Sequence, residues 1–224
     1  MSRIRYQSVL GFGLLVAIGF AATPTSAQQT TPGAILQESD LIDALRRGGY
    51  VIYFHHATTT PEQADTTDPK LGRCEAQRNL SADGRRMAAE IGGAFKTLRI
   101  PVGKVVSSPY CRTADTATLA FGRHEVSDAL YFAIGVGKTE RGQQVLALRQ
   151  MLATPPARGT NTVLVAHHLN LKEATGVWPK REGEAHVFRP RPAGGFDYVG
   201  EVSSEAWKRR AAVAAQGPAA SERH

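Results

Sequence analysis

The sequence predicts an α/β layered domain with a largely parallel sheet. Two short, continuous apolar runs, YVIYF at 50–54 and TVLVA at 162–166, have the length and composition of strands buried on both faces. Amphipathic helical patterns lie between such runs. No internal repeat and no second apolar core interrupts the alternation. Helices alternating with buried strands build layered α/β domains.

The first 27 residues stand outside this scheme. Arg3 and Arg5 precede the apolar stretch VLGFGLLVAIGFAA, and Thr25-Ser26-Ala27 closes it. A basic start, a short apolar core and a T-x-A site predict a secretory signal peptide over 1–27, cut before Gln28. The apolar stretch falls short of the ~20 residues a spanning helix needs, so no membrane anchor is expected in the mature form. The chain is therefore expected to be exported, to the periplasm or the extracellular space. Residues 28–37, rich in Gln, Thr, Pro and Gly, read as a flexible lead-in. One domain is expected over 38–215, with a disordered tail over 216–224.

Within that domain Ser39 is placed to cap a helix over DLIDALRRGG, which Gly48-Gly49 ends. YVIYF is the first strand. Residues 58–69 lack periodicity and read as a loop over the strand's end. Ser81 begins a second helix, whose Met87, Ile91, Ala94, Phe95 and Leu98 recur at helical spacing. KVVSS (104–108) is a strand, and RTADTATLAF (112–121) a helix. Residues 123–139 carry no clear period. ERGQQVLALRQML (140–152) is a helix stopped by Pro155-Pro156, and TVLVA the next strand. AHVFRP (185–190) and FDYVGEV (196–202) are strands joined by a Pro/Gly turn, and SEAWKRRAAVAA (204–215) is the last helix.

The formal charge of +7 favours anionic partners. It is spread along the chain, and no Lys/Arg run with interleaved aromatics occurs, so nucleic acid is not expected as a partner. Cys74 and Cys111 are the only cysteines. An even count in an exported chain suggests a disulfide, the alternative being two unrelated thiols. A pair would tie the loop after the first strand to the segment before Arg112. Thiol phosphatase chemistry is not indicated, because Cys111-Arg112 lacks C-x5-R spacing.

In layered α/β folds, ligands bind at the carboxyl ends of the strands. Three strands end here in polar residues: His55-His56, then Ser107-Ser108 with Arg112 four residues on, then His167-His168. Four stretches complete the pattern: Arg78-Asn79-Leu80-Ser81-Ala82-Asp83-Gly84, SSPYCRTADTA at 107–117, Val165-Ala166-His167, and Gly183-Glu184-Ala185. In this order the motifs resemble the histidine phosphatase superfamily, the group that contains phosphoglycerate mutases and phosphohistidine phosphatases. The likeness runs from about residue 41 to 207.

The resemblance implies a three-layer α/β/α sandwich, phosphoglycerate mutase-like, with a mostly parallel central sheet. It implies phosphoryl transfer through a phosphohistidine on His56, with Arg112 and His167 holding the phosphate. The partner is then a small phosphorylated substrate, and neither cofactor nor metal is expected. A neutral imidazole suits the nucleophile near pH 7, and a guanidinium fork suits phosphate. His55 stands where the superfamily has an arginine, so a permanent cation is replaced by an imidazole. His55, Arg78, His168 and Asn170 are the expected substrate contacts. Arg78 also reads as a helix-start residue and Asn170 as a helix cap before LKEATG. The acid is open among Glu140, Glu173 and Glu184, with Glu184 preferred for its place in the GEA segment. The alternative to an active phosphatase is a phosphate-binding pseudoenzyme, which the His55 substitution favours. A mutase fits an exported chain poorly.

Overall fold

A computed structural model of the protein describes residues 35–65 and 73–216. The expected signal peptide, most of the lead-in and the tail beyond residue 216 lie outside these residues. In chain order the elements are α1 (Glu38–Arg47), β1 (Val51–His55), α2 (Ala82–Thr97), β2 (Val102–Ser107), α3 (Cys111–Phe121) and β3 (Glu125–Val126). Then follow α4 (Lys138–Ala153), β4 (Asn161–Ala166), α5 (His168–Thr175), β5 (Ala185–Pro190), β6 (Phe196–Val202) and α6 (Ser204–Ala215).

The strands form one sheet in the order β3-β2-β4-β1-β5-β6. The first four are mutually parallel, and β5 and β6 run antiparallel at one side. Because side chains alternate along a strand, the sheet feeds two apolar layers. Ile52 and Phe54 of β1 face one layer, where Leu41 and Leu45 of α1, Ile91 and Phe95 of α2, Ala117 of α3 and Trp207 of α6 pack. Val51 and Tyr53 face the other, covered by Leu148 and Leu152 of α4 and Leu171 of α5. The result is the three-layer α/β/α sandwich with a mostly parallel sheet. Trp207 is fully buried with its ring 4.9 Å from that of Phe95, and truncating such a side chain to Ala typically costs about 3–5 kcal/mol.

Local chemistry explains where the elements start. Ser81 caps α2 through its Oγ, which accepts the Gly84 N–H at 3.0 Å. A Cβ at Gly84 would collide with the Thr58 carbonyl, so this glycine lets α2 press against the loop after β1. Ser39 does not cap α1. The helix begins two residues earlier than such a cap implies, at Glu38, with Gln37 at the cap position and no side-chain bond. Glu38 and Asp40 sit in the first turn, where the helix dipole favours acids. Just upstream, the Leu36 N–H donates to Val199 O of β6 and fixes the approach to α1.

Residues 123–139 prove to be the two-residue β3 followed by two short 3-10 turns, Asp128–Leu130 and Ala133–Gly135. Such pieces are too short to show a period. Cys74 and Cys111 form a disulfide, with Cα atoms 5.6 Å apart. It is seconded by the Cys111 N–H, which donates to Gln77 Oε1 at 2.9 Å. Among the described residues, no helix is long and apolar enough to cross a membrane.

Candidate active site

The parallel strands β1, β2 and β4 finish side by side, and the residues just beyond them meet. His56 leaves β1 with its N–H donating to Ala166 O of β4 at 3.1 Å, and the Ser108 N–H donates to Val165 O at 2.9 Å. The ring centroids of His55 and His56 lie 4.5 Å apart, those of His56 and His167 5.6 Å, and those of His55 and His168 5.3 Å. Arg112, on the first turn of α3, is completely buried and packs 4.5 Å from the Tyr110 ring. Tyr110 in turn meets the His167 ring at 5.1 Å.

Hydrogen bonds fix the proton on His56. Its Nδ1 lies 2.9 Å from Ala57 O, and since a carbonyl can only accept, Nδ1 carries the hydrogen. Nε2 is therefore the nitrogen with the free lone pair. Glu182 Oε1 stands 3.9 Å from the same Nδ1, held there by the Thr59 hydroxyl at 2.7 Å and the Thr59 N–H at 3.1 Å. The Arg112 Nη1 donates to Asp65 Oδ1 at 2.9 Å, while its Nε and Nη2 are buried with no acceptor among the described residues. These two N–H groups form one edge of the guanidinium and match two oxygens of a tetrahedral oxyanion. His167 Nε2 is 2.9 Å from Ser108 Oγ, and its Nδ1 is buried without a hydrogen-bond partner among the described residues.

Burial pushes the pKa values of His56 and His167 well below the ordinary imidazole range, and the neighbouring histidines and Arg112 add to the effect. His55 is pushed down to about 3, chiefly by burial, with His168, Arg112 and Arg78 reinforcing it. His168, at the open rim beside Trp178, is lowered for the same first reason. The cluster's histidines thus favour the neutral form at pH 7, and its fixed positive charge comes from arginine. His55 is bound through Nδ1 to Arg181 O at 3.1 Å, so its Nε2 offers a buried lone pair where an arginine would offer N–H donors.

The structure therefore brings together His55, His56, Arg112, His167 and His168. Arg78 borders them: its backbone N–H donates to Asp65 Oδ1 at 3.0 Å, and its guanidinium lies 3.9 Å from Glu182 Oε1. Asn170 does not cap α5, because His167 takes the cap position. Its Nδ2 instead donates to Tyr131 O at 2.7 Å and ties α5 to the loop that carries Phe132. Glu184 turns away from the cluster. Its carboxylate accepts the Lys180 N–H at 2.9 Å and faces His186 at 3.4 Å. Of the other acids considered, Glu173 pairs with Arg141 at 3.8 Å.

Sequence reasoning missed Asp65 and Glu182. Asp65 lies in the aperiodic loop, where no pattern singles out one acid. Glu182 lies one residue before the quoted GEA stretch, and the turn at Gly183 decides which glutamate points inward. The Gly183 N–H donates to both His55 O at 3.1 Å and His56 O at 2.8 Å, which swings Glu182 toward His56.

No family model and no curated protein matches the sequence. Solved structures do. The native mycobacterial glucosyl-3-phosphoglycerate phosphatase superposes with a TM-score of 0.51 at 13% identity, over 70% of this chain and all (100%) of its own. The chain shares the α/β/α fold of that phosphatase. Mycobacterial hydrolase 1 matches at a TM-score of 0.50 and 12% identity, over 70% of this chain and 98% of its own. A complex of the protein histidine phosphatase SixA with tungstate is also similar, at a TM-score of 0.46 and 12% identity, over 69% of this chain and 97% of that one. In this shared fold, the strand-end cluster occupies the crevice where ligands of layered α/β sheets bind.

Proposed function

We propose that the protein is an exported phosphatase that hydrolyses a small phosphomonoester through a phosphohistidine on His56. The observation that carries this reading is the pairing of an Nδ1-protonated His56 with the open Nε/Nη2 edge of Arg112 in one buried cluster. Arg112 grips two phosphate oxygens, and the partnerless Nδ1 of His167 offers a third contact when that nitrogen is protonated. The Nε2 lone pair forms the N–P bond as the bond from phosphorus to the ester oxygen breaks. The leaving oxygen keeps that bonding pair and takes up a proton.

Positive charge then spreads over the His56 ring. Glu182, 3.9 Å from Nδ1, stabilises it. Water attacks phosphorus next, forming a P–O bond and returning the N–P pair to Nε2. It gives up one proton, which balances the proton taken by the leaving group. Asp65 beside Arg112 and Glu182 beside His56 are the carboxylates placed to carry it. Every step uses protein side chains and water.

A second reading is favoured by His55. A buried lone pair in place of arginine donors repels phosphate oxygens, which fits a protein that binds phosphate weakly and turns substrate over slowly or not at all. Turnover of an aryl phosphate by the purified chain, beside His56→Ala, separates the two. Activity that disappears in His56→Ala supports the phosphatase. Equal, background-level rates in both, with inorganic phosphate still bound, support the binding protein.

A further inference from the structure

On the far side of segment 180–186 from the histidine cluster lies a second set of donors. His186 of β5 and Glu201 of β6 are cross-strand partners, and Glu184 precedes His186 by two residues, which puts all three on one face. One donor atom from each lies within 4.8 Å of the other two. His186 is fully buried, the Glu184 side chain is 7% exposed and that of Glu201 50% exposed.

The bonding around His186 sets its tautomer. Tyr198 donates its single hydroxyl proton to Glu201 Oε2 at 3.4 Å, so its oxygen accepts from His186 Nδ1 at 3.3 Å. Nε2 then carries a lone pair. It is buried 3.4 Å from Glu184 Oε2, and among the described residues it makes no hydrogen bond of full geometry. A lone pair facing a buried carboxylate is unfavourable unless a cation lies between them. Two ligand atoms on a tetrahedral Zn²⁺, with bonds of about 2.0–2.1 Å, stand roughly 3.3 Å apart. That is close to the observed separation of Nε2 and Oε2.

We propose that Glu184, His186 and Glu201 hold a divalent transition-metal ion of the Zn²⁺ type. One imidazole with two carboxylates suits such an ion better than Mg²⁺ or Ca²⁺, which prefer oxygen alone. Water completes the shell from the half-exposed Glu201 side, where a cavity of about 270 Å³ opens. Glu38, Lys180 and Arg181 also line that cavity. Glu38 is engaged by Arg209 and Arg210 at 3.4 Å, and the Lys180 and Arg181 side chains are exposed at the rim. The ion braces the segment that holds the histidines. Arg181 O accepts from His55 Nδ1, Glu184 O accepts the His55 N–H at 3.0 Å, and the Gly183 N–H binds both carbonyls of the pair.

The test uses the full chain, stripped with a chelator and titrated with Zn²⁺ by calorimetry, with Co²⁺ absorption as a spectroscopic probe. Wild type takes up one equivalent of Zn²⁺, gives the visible bands of a low-coordinate Co²⁺ site, and melts at a higher temperature with metal. Glu201→Gln, a surface change that leaves the core intact, loses that equivalent and the melting shift. His56→Ala keeps both, because the ion does not sit among the strand-end histidines. Absence of uptake by wild type would overturn the proposal. Unchanged uptake in Glu201→Gln, or its loss in His56→Ala, would overturn it equally.

Discussion

The Nδ1 of His56 donates to the carbonyl of the very next residue, Ala57, at 2.9 Å. This local bond aims Nε2 as an unprotonated nitrogen while burial keeps the ring neutral. His56→Ala is therefore expected to reduce turnover to background while leaving the melting transition within a few degrees. His56→Asn, which keeps polarity but not nucleophilicity, is expected to do the same. Steady-state assays beside thermal melts check both.

Arg112 presents one edge to Asp65 and leaves the other without an acceptor among the described residues. Arg112→Lys keeps the charge and loses the two parallel donors. A drop in kcat of about 10²–10³, the usual cost of one preorganised donor, is expected. Inorganic phosphate should weaken as a competitive inhibitor by a similar direction. A variant within a factor of about two of wild type would remove Arg112 from phosphate binding.

The lone pair of His55 Nε2 points to a gain from substitution. His55→Arg restores N–H donors at this strand end, and turnover at pH 7 is expected to rise at least severalfold. The comparison requires equal melting temperatures, since the new side chain enters a buried position. A folded His55→Arg with unchanged or lower activity would show that His55 is adapted to its own substrate.

Stability should fall in acid. His55, His56, His167 and His168 all have folded pKa values below the ordinary 6.5, so the unfolded chain binds protons that the folded chain refuses. The stabilisation is present above about pH 6.5 and is lost as pH falls, for His55 across the window down to about 3. Melting temperature measured from pH 8 to 4 should decline most steeply below about 6.5. Phosphate should offset part of the loss, because a bound anion favours protonated imidazoles.

The disulfide closes a sequence separation of 37 residues. For a loop of this length its loss is expected to cost about 4 kcal/mol by the chain-entropy argument. Because Cys111 precedes Arg112, reduction should also weaken phosphate binding. Melts and inhibition by phosphate, with and without reductant, measure the two effects.

The sheet was legible because YVIYF and TVLVA are short, continuous and β-branched, and only strands buried on both faces need that composition. The helices announced themselves by period, and Ser81 by its capping geometry with Gly84. The strand-end histidines and Arg112 were readable because topology alone gathers residues that follow parallel strands. The carboxylates were not. Whether Glu182 or Glu184 faces His56 depends on a turn at Gly183 that two carbonyls of the β1 end impose, and one-residue register is invisible to composition. Asp65 is positioned by Arg112 and the Arg78 N–H, contacts that cross 47 and 13 residues of sequence. Ser39 failed as a cap because tertiary anchoring of Leu36 on β6 set the start of α1 instead.

The most direct measurement is a rapid acid-free quench of the purified chain with an aryl phosphate, followed by intact-mass and peptide mapping. The account predicts a transient mass gain of one phosphoryl group, mapped to His56, acid-labile and absent from His56→Ala. Turnover with no phosphoryl-enzyme, or with the phosphoryl group on another residue, would contradict it.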